Sequence, residues 1–402
     1  MDNSILDELT ESHGGKIVYL IMDGLGGLRM PGKAGTELQV ADTPNLDALA
    51  KDSVCGLLDP ILPGVTPGSG PAHFGLFGYD PVRYNIGRGV LSAAGVDFDL
   101  TDRDLAARVN FCTVDAQGKV TDRRAGRIPT ELNQKLCEKI LARIKVPGGY
   151  ELFFLPEKEH RAVFILRGEN LDERIADTDP QETGVPPLEP QPLAPEAEPT
   201  ARLVQDLVSQ IRSILADEHP ANMILLRGFA KYRRYPSMME RFKLRSLAIA
   251  NYPMYRGVAR LLGMDLHPIT RDVPTQIEAL EKAFSRYDFF FVHVKYTDSR
   301  GEDGDFDAKV KVIEEVDALI PRIRALKPDV LVVTGDHSTP AQMKSHSWHP
   351  SPVLIYSALA RVDRVERFDE ISCIGGGLGR QPSVHLMGLA LAHAGRLKKF
   401  GA

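Results

Sequence analysis

KIVYLIMDG, residues 16–24, is the stretch of sequence that indicates the fold, because a short apolar run ends there in an acidic residue and a glycine. Two later runs have the same form, YDFFFVHV (287–294) ahead of Asp298 and DVLVVTG (329–335) ahead of Asp336-His337. Apolar runs of this length, rich in Val, Ile, Phe and Tyr, are typical of buried strands in a parallel sheet. We therefore predict an α/β fold built on a doubly wound, mostly parallel sheet.

The residues that end these runs predict a metal site. Ligands of open parallel sheets bind outside the carboxyl ends of the strands, so Asp23, Asp298, Asp336 and His337 should meet at one edge. Carboxylate oxygens and an imidazole, delivered by several strand ends, are typical of a divalent-metal site that acts on phosphate.

The composition excludes several classes of protein. The chain has 402 residues, 43% of them hydrophobic and 26% charged, which is ordinary for a globular protein of two domains or of one core with an insertion. Its net charge of −5 provides no basic field for nucleic acid. The four cysteines have no CxxC spacing, which argues against zinc knuckles and a disulfide framework.

The sequence gives no indication of a membrane-spanning segment or of an export signal. No stretch approaches the ~18 apolar residues of a membrane helix. The N-terminal residues MDNSILDELT have no apolar signal-peptide segment. We predict a cytoplasmic protein with neither a membrane nor a nucleic-acid partner, and leave a homo-oligomer open.

The middle of the chain has a different pattern. From about Val96 to about Arg245 the strands alternate in polarity, and a Pro-rich stretch occupies residues 183–199. Because the metal-ligand candidates flank this region, the simplest topology is a core interrupted by an insertion. We predict a metal-binding core of residues 1–95 and 246–402, and an inserted α+β cap domain of residues 96–245.

Ser69 is the candidate nucleophile. It lies where a Gly/Pro-rich loop, residues 64–73, opens a helix, and the free N–H groups of a helix start favour an oxyanion or a phosphate. A nearby metal would lower the pKa of its hydroxyl. The alternative is a plain N-cap serine. His73, four residues later, either touches the site or is a packed histidine.

Several motifs in combination resemble one known family. They are MDG (22–24), TPNLD (43–47), TPGSGPAH (66–73), FGYDP (77–81), DRRAGR (122–127), HR (160–161), DTDP (177–180), LRG (226–228) and TGDH (334–337). Together they resemble the cofactor-independent phosphoglycerate mutases of the archaeal type, within the alkaline phosphatase superfamily. The resemblance covers residues 16–402.

The resemblance implies two divalent ions, Mn²⁺ or Mg²⁺, and a phosphoserine intermediate. One ion would be held by Asp23, Ser69, Asp336 and His337, and the other by Asp298, Glu302 and His346. The family pattern Asp-x-x-Gly-His reads Asp298-Ser-Arg-Gly-Glu302 here, so an oxygen ligand replaces a nitrogen ligand. Asp303 and Asp305 are nearby acidic residues that could compensate. His349 is a competing candidate, which we assign to the loop or to a position behind the ligands.

A basic cluster predicts the substrate site. A phosphoglycerate, a small phosphorylated three-carbon acid, carries two anionic groups that Arg binds in bidentate fashion. We predict that substrate is bound by Asp122, Arg123, Arg124 and Arg127, with Arg161, Arg227 and Arg256 as weaker candidates. Arg88 and Arg108 are left unranked, and the alternative for the cluster is a solvated charge run.

The resemblance implies that the chain interconverts 2-phosphoglycerate and 3-phosphoglycerate. Two rivals stay open. One is a phosphomonoesterase or phosphonate hydrolase of the same superfamily, which needs no anchor for a dephosphorylated intermediate. The other is a weakly active metabolite-binding homologue, in which Glu302 marks a damaged metal site.

Overall fold

A computed structural model describes residues 4–84 and 86–401 of the chain. The strands are β1 (Ile17–Met22), β2 (Ser53–Asp59), β3 (Asp104–Val114), β4 (Val120–Asp122), β5 (Tyr150–Lys158), β6 (Arg161–Gly168), β7 (Met223–Lys231), β8 (Ser246–Ile249), β9 (Asp265–Leu266), β10 (Phe289–Val294), β11 (Val330–Thr334), β12 (Ser351–Ser357) and β13 (Gly379–Pro382).

Helices lie between many of these strands. They are α1 (Ser4–Leu9), α2 (Glu37–Val40), α3 (Pro44–Ala50), α4 (Ser69–Leu76), α5 (Arg88–Gly95), α6 (Thr130–Arg143), α7 (Glu198–Leu215), α8 (Met238–Phe242), α9 (Pro253–Leu261), α10 (Val273–Ala283), α11 (Tyr296–Asp303), α12 (Phe306–Asp317), α13 (Ile320–Ala325) and α14 (Leu386–His393). None of the helices in the described ranges is long and apolar enough to span a bilayer.

The chain forms two units, one from residues up to 85 and from Tyr235 onward, the other from Ile86–Arg234. Among the described residues, the first unit has an eight-stranded sheet in the order β13-β2-β12-β11-β1-β10-β8-β9. Central β1 is parallel to both β10 and β11, and β8 is parallel to β10. Of the described strands in this sheet, only β12 runs antiparallel to its neighbours. The predicted mostly parallel sheet is confirmed.

Helices cover both faces of this sheet. Even-numbered residues of β1, such as Val18 and Leu20, share a core with helices α10, α12 and α13. On the opposite face, Phe77 at the end of α4 packs edge-on against Phe291 of β10, with ring centroids 4.9 Å apart. Since both faces are buried, β1, β10 and β11 are apolar without alternation. The doubly wound arrangement predicted from the three runs is confirmed.

The second unit is built around an antiparallel sheet. Within the described part of this unit, the strand order is β4-β3-β6-β5, and β7 pairs with the other edge of β3. A separate core joins this sheet to α6 and α7. The Pro-rich stretch lies in this unit and makes backbone hydrogen bonds to its neighbours, for example from Val120 N to Val185 O at 2.8 Å.

The boundaries of the second unit differ from the predicted 96 and 245. Helix α5 belongs to this unit, because a Cβ on its Gly89 would collide with the backbone of Ala106 in β3. Residues from Tyr235 onward belong to the first unit, where Tyr235 packs against Phe74 at 5.3 Å. Both segments are short and follow loops, so their own sequences do not reveal which core they join.

Candidate active site

A first cluster of ligand atoms lies where β1 and β11 end. The side chains of Asp23, Asp336 and His337 place one ligand atom each within 4.8 Å of one another, and all three are buried. His337 Nε2 lies 3.3 Å from Asp23 Oδ1 and 3.3 Å from Asp336 Oδ2. The adjacent parallel strands deliver these residues to one edge of the sheet, as the sequence predicted.

A second cluster shares His337 with the first. Asp298, in the first turn of α11, groups with His337 and His346. His346 Nε2 lies 3.6 Å from Asp298 Oδ1, and the two imidazole rings stack at 3.7 Å. His349 belongs to neither cluster, and its Nδ1 lies 3.1 Å from Ser347 Oγ.

Hydrogen bonds fix which imidazole nitrogens face the carboxylates. The Thr339 hydroxyl donates to Asp298 Oδ1 at 2.6 Å, so its oxygen accepts from His337 Nδ1 at 3.0 Å. His346 Nδ1 donates to Pro67 O at 3.0 Å. In the neutral rings, both Nε2 atoms then present lone pairs to carboxylate oxygens. Burial lowers the pKa of His337, which keeps that ring neutral.

These clusters fit a bound cation. Asp23 Oδ1 and Asp336 Oδ2 are buried and make no hydrogen bond to any described residue. Buried acceptors without donors are rare, and lone pairs facing lone pairs repel unless a positive ion lies between them. Oxygen donors with one or two imidazoles suit Mn²⁺ or Mg²⁺.

Glu302 lies one helical turn after Asp298, at the edge of the second cluster. Its Oε1 is 3.9 Å from His346 Nε2, and its side chain is 55% exposed. Burial and the neighbouring Asp298 raise its pKa. Asp303 pairs with Arg300 at 3.5 Å, and Asp305 caps α12. Of Glu302, Asp303 and Asp305, Glu302 is therefore the residue that lies beside the second cluster.

Ser69 is the first residue of α4, and Gly68 takes the N-cap position. Its Oγ lies 3.3 Å from His337 Nε2. His73 Nδ1 lies 2.8 Å from Ser69 O and 3.2 Å from Asp336 Oδ2. The structure thus brings both residues to the first cluster, with the serine hydroxyl facing the ligands.

Lys295 and Tyr255 are site residues that the sequence reasoning missed. Lys295 Nζ lies 3.0 Å from Asp23 Oδ2 and also pairs with Asp298. The Tyr255 hydroxyl donates to Asp23. Burial opposes the charge on Asp23, but Lys295 and His293 outweigh it and hold the pKa of this carboxyl well below its ordinary value. The position of Lys295 between β10 and Asp298 was an available signal, whereas Tyr255 comes from α9 and had none.

The second unit contains a polar cavity of about 150 Å³. It is lined by Arg88, Arg108, Asn110, Arg123, Arg124, His160, Arg161 and Arg227. Asp179 holds two of these guanidinium groups, with Arg123 bound in bidentate fashion at 2.9 and 2.7 Å and Arg227 at 3.4 Å. Burial and the surrounding arginines, Arg161 first, lower the pKa of His160 to about 4. The concentration of positive charge indicates an anion site.

Four of the seven predicted substrate-binding residues line the cavity of the second unit. Arg123, Arg124, Arg161 and Arg227 line the cavity, as do Arg88 and Arg108, which the sequence could not rank. Asp122 shapes the loop by accepting from Arg124 N at 2.8 Å and Gly126 N at 2.6 Å.

Two other residues that were predicted to bind substrate do not line this cavity. Arg127 is not among the lining residues. Arg256 lies in the first unit, where it donates to His267 O at 2.7 Å. Their roles stay predictions.

The fold and the two clusters describe an α/β protein with two groups of candidate metal ligands. A family model for 2,3-bisphosphoglycerate-independent phosphoglycerate mutase matches residues 50–222. A relative from Thermus thermophilus, named a probable 2,3-bisphosphoglycerate-independent phosphoglycerate mutase, is 50% identical over 99% of both chains. The chain belongs to this family.

Solved structures agree with this assignment. A cofactor-independent phosphoglycerate mutase from Thermoplasma acidophilum is 30% identical and superposes with a TM-score of 0.72, covering 94% of this chain and 100% of its own. The PH0037 protein from Pyrococcus horikoshii is 28% identical, with a TM-score of 0.82, covering 97% and 100% of the two chains.

Proposed function

We propose that this chain interconverts 2-phosphoglycerate and 3-phosphoglycerate through a phosphoserine on Ser69, without 2,3-bisphosphoglycerate. The observation that carries the proposal is the position of Ser69 Oγ, 3.3 Å from His337 Nε2, at a helix start beside two carboxylates. Membership of the mutase family supports the substrate and the reaction.

Two divalent ions, Mn²⁺ or Mg²⁺, complete the proposed site. Asp23, Ser69, Asp336 and His337 would hold one, and Asp298, Glu302 and His346 the other. When bound, such ions stabilise negative charge on the phosphoryl oxygens and on the attacking and leaving oxygens.

The residues of the chain have defined parts in the proposed transfer. Ser69 Oγ loses its proton and forms a bond to phosphorus, while the bond from phosphorus to the glycerate oxygen breaks and that oxygen takes up a proton. The reverse step returns the phosphoryl group to the other hydroxyl. The free N–H groups at the start of α4 would supply hydrogen-bond donors to the phosphoryl oxygens.

The arginine-lined cavity supports a mutase over a hydrolase. A mutase has to retain the dephosphorylated glycerate, and guanidinium groups bind a carboxylate or a phosphate in bidentate fashion. Arg123 is held in place by Asp179, so its geometry is set before an anion binds. We propose that this cavity binds an anionic group of the substrate.

An enolase-coupled assay with 3-phosphoglycerate and Mn²⁺, in the absence of 2,3-bisphosphoglycerate, tests the function. We expect activity in the wild type and its loss in Ser69→Ala, to below about a hundredth of the wild-type rate, as for an essential nucleophile. Ser213→Ala, at an exposed position of α7, is the matched control and should be unchanged. A higher residual rate in Ser69→Ala would contradict the covalent route. Release of free phosphate in place of transfer would favour a phosphomonoesterase.

A further inference from the structure

A lysine lies buried behind the metal-binding edge of the sheet. Lys309, on α12, has no exposed surface. Its Nζ donates to Gly24 O at 2.9 Å, to Gly26 O at 3.1 Å and to Thr339 O at 2.9 Å. Burial lowers the pKa of Lys309. The three carbonyl acceptors match the three N–H donors of the ammonium form and so favour it.

The three carbonyls belong to the two loops that carry metal ligands. Gly24 directly follows Asp23, and Thr339 lies two residues after His337. The loops also contact each other directly, because Thr339 N donates to Gly26 O at 3.0 Å. A single ammonium therefore joins the backbone after β1 to the backbone after β11.

Thr339 extends this link to the ligand side chains. Its hydroxyl lies 2.6 Å from Asp298 Oδ1 and 3.0 Å from His337 Nδ1, and so sets which nitrogen of His337 faces the first cluster. Partners that orient metal ligands in this way tune metal affinity. A shift of the Thr339 backbone would move Asp298 and His337 relative to Asp23.

A role in packing alone does not account for a charge at this position. Removing an ammonium from water is unfavourable, and an apolar side chain of similar volume is often as stable in such a place. The nearest carboxylate, on Glu37, is 3.9 Å away and itself accepts from Ala341 N at 2.7 Å. The direct partners of Lys309 are the loop carbonyls.

We propose that Lys309 is a positioning residue for the metal centre, whose ammonium sets the spacing between Asp23 and the loop that carries His337. The inference rests on the proposed two-metal site but not on the mutase reaction. Lys309 should therefore affect both the affinity for divalent ions and the geometry of the bound ion.

The test is Mn²⁺ binding by Lys309→Met, measured by electron paramagnetic resonance. Methionine keeps the volume and removes the three donors. We expect the Mn²⁺ dissociation constant to rise about 10–100-fold, the usual effect of losing a partner of a metal ligand. The spectrum of bound Mn²⁺ at saturation should also change. Lys311→Met is the matched control, because Lys311 is exposed on the same helix, and both values should stay at wild type.

Each other outcome overturns the proposal. A folded Lys309→Met variant with wild-type Mn²⁺ affinity and spectrum would exclude a positioning role. A variant that stays unfolded at saturating Mn²⁺ would make Lys309 a folding residue instead. Failure of the mutase proposal would look different, since the wild type would then bind Mn²⁺ and show no transfer in the enolase-coupled assay.

Discussion

Glu302 occupies the position at which this chain departs from the motif of the family it resembles. The departure leaves the acidic side chain half exposed, 3.9 Å from His346 and outside the tighter group of ligand atoms. A carboxylate on the last turn of a short helix can rotate toward an ion through its own torsions. A measurement of metal binding therefore tests whether Glu302 is a ligand.

We predict that Glu302→Ala reduces the number of tightly bound Mn²⁺ ions from two to one, because the second site loses one of its three protein ligands. Glu302→His should restore two ions and shift the preference toward Mn²⁺, Co²⁺ or Zn²⁺ over Mg²⁺. Asp303→Ala, beside it and paired with Arg300, is the control and should bind two. The measurement is metal stoichiometry after equilibrium dialysis. Two tightly bound ions in Glu302→Ala would remove Glu302 from the ligand set.

Helix α3 begins at Pro44, and Thr43, at its N-cap position, makes no capping hydrogen bond through its side chain. The capping group comes from α12, far along the chain. Asp317 accepts from Leu46 N at 2.7 Å and from Asn45 N at 3.3 Å, and it is 2% exposed. A helix start leaves free N–H groups that need such an acceptor.

Replacing this distant cap should destabilise the first unit. We expect Asp317→Ala to lower the free energy of unfolding by about 1–3 kcal/mol, the range for losing a helix cap and leaving buried donors unpaired. Asp317→Asn keeps one acceptor and should lose less. Glu315→Ala, exposed on the same helix, should change little. Urea unfolding followed by the fluorescence of Trp348, the single tryptophan of the chain, reports on this unit. Equal stabilities of Asp317→Ala and Glu315→Ala would contradict the cap.

Elements that local sequence determines were predicted, and those that depend on distant contacts were not. The strands before Asp23 and Asp336 were recognisable because continuous apolar runs are a property of the segment itself. Tyr255 and Asp317 reach their partners only through the tertiary fold. Helix α14 ends at His393, two residues before Gly395, which adopts a left-handed backbone conformation with a φ of 65°.

At the scale of the whole molecule, the second unit is one continuous segment with its own sheet and core. Its two chain ends lie close together, since a Cβ on Gly87 would contact the Cβ of Ala230. A continuous segment with adjacent ends and a separate core meets the usual requirements for independent folding.

We predict that residues 86–234, expressed alone, fold cooperatively and bind inorganic phosphate in the arginine-lined cavity. In this fragment Arg124→Ala should weaken binding by about 1.5–3 kcal/mol, the range for a charge-assisted hydrogen bond. Arg143→Ala, exposed on α6, is the control. Calorimetric titration with phosphate measures both, and circular dichroism establishes folding. Equal affinities for the two variants would show that the cavity is not the phosphate site.

The order of strands in the larger sheet has a consequence for biosynthesis. β1 is synthesised long before both of its neighbours in the sheet, β10 and β11. At about 5–20 residues per second, the 266 residues between the end of β1 and the start of β10 take about 13–53 s to synthesise. Throughout that interval the six residues of β1 have no neighbouring strand to pair with. The second unit, by contrast, can already complete its own sheet. In the nascent chain this apolar segment therefore lacks its native partners, and it is prone to aggregate until β10 and β11 have been made.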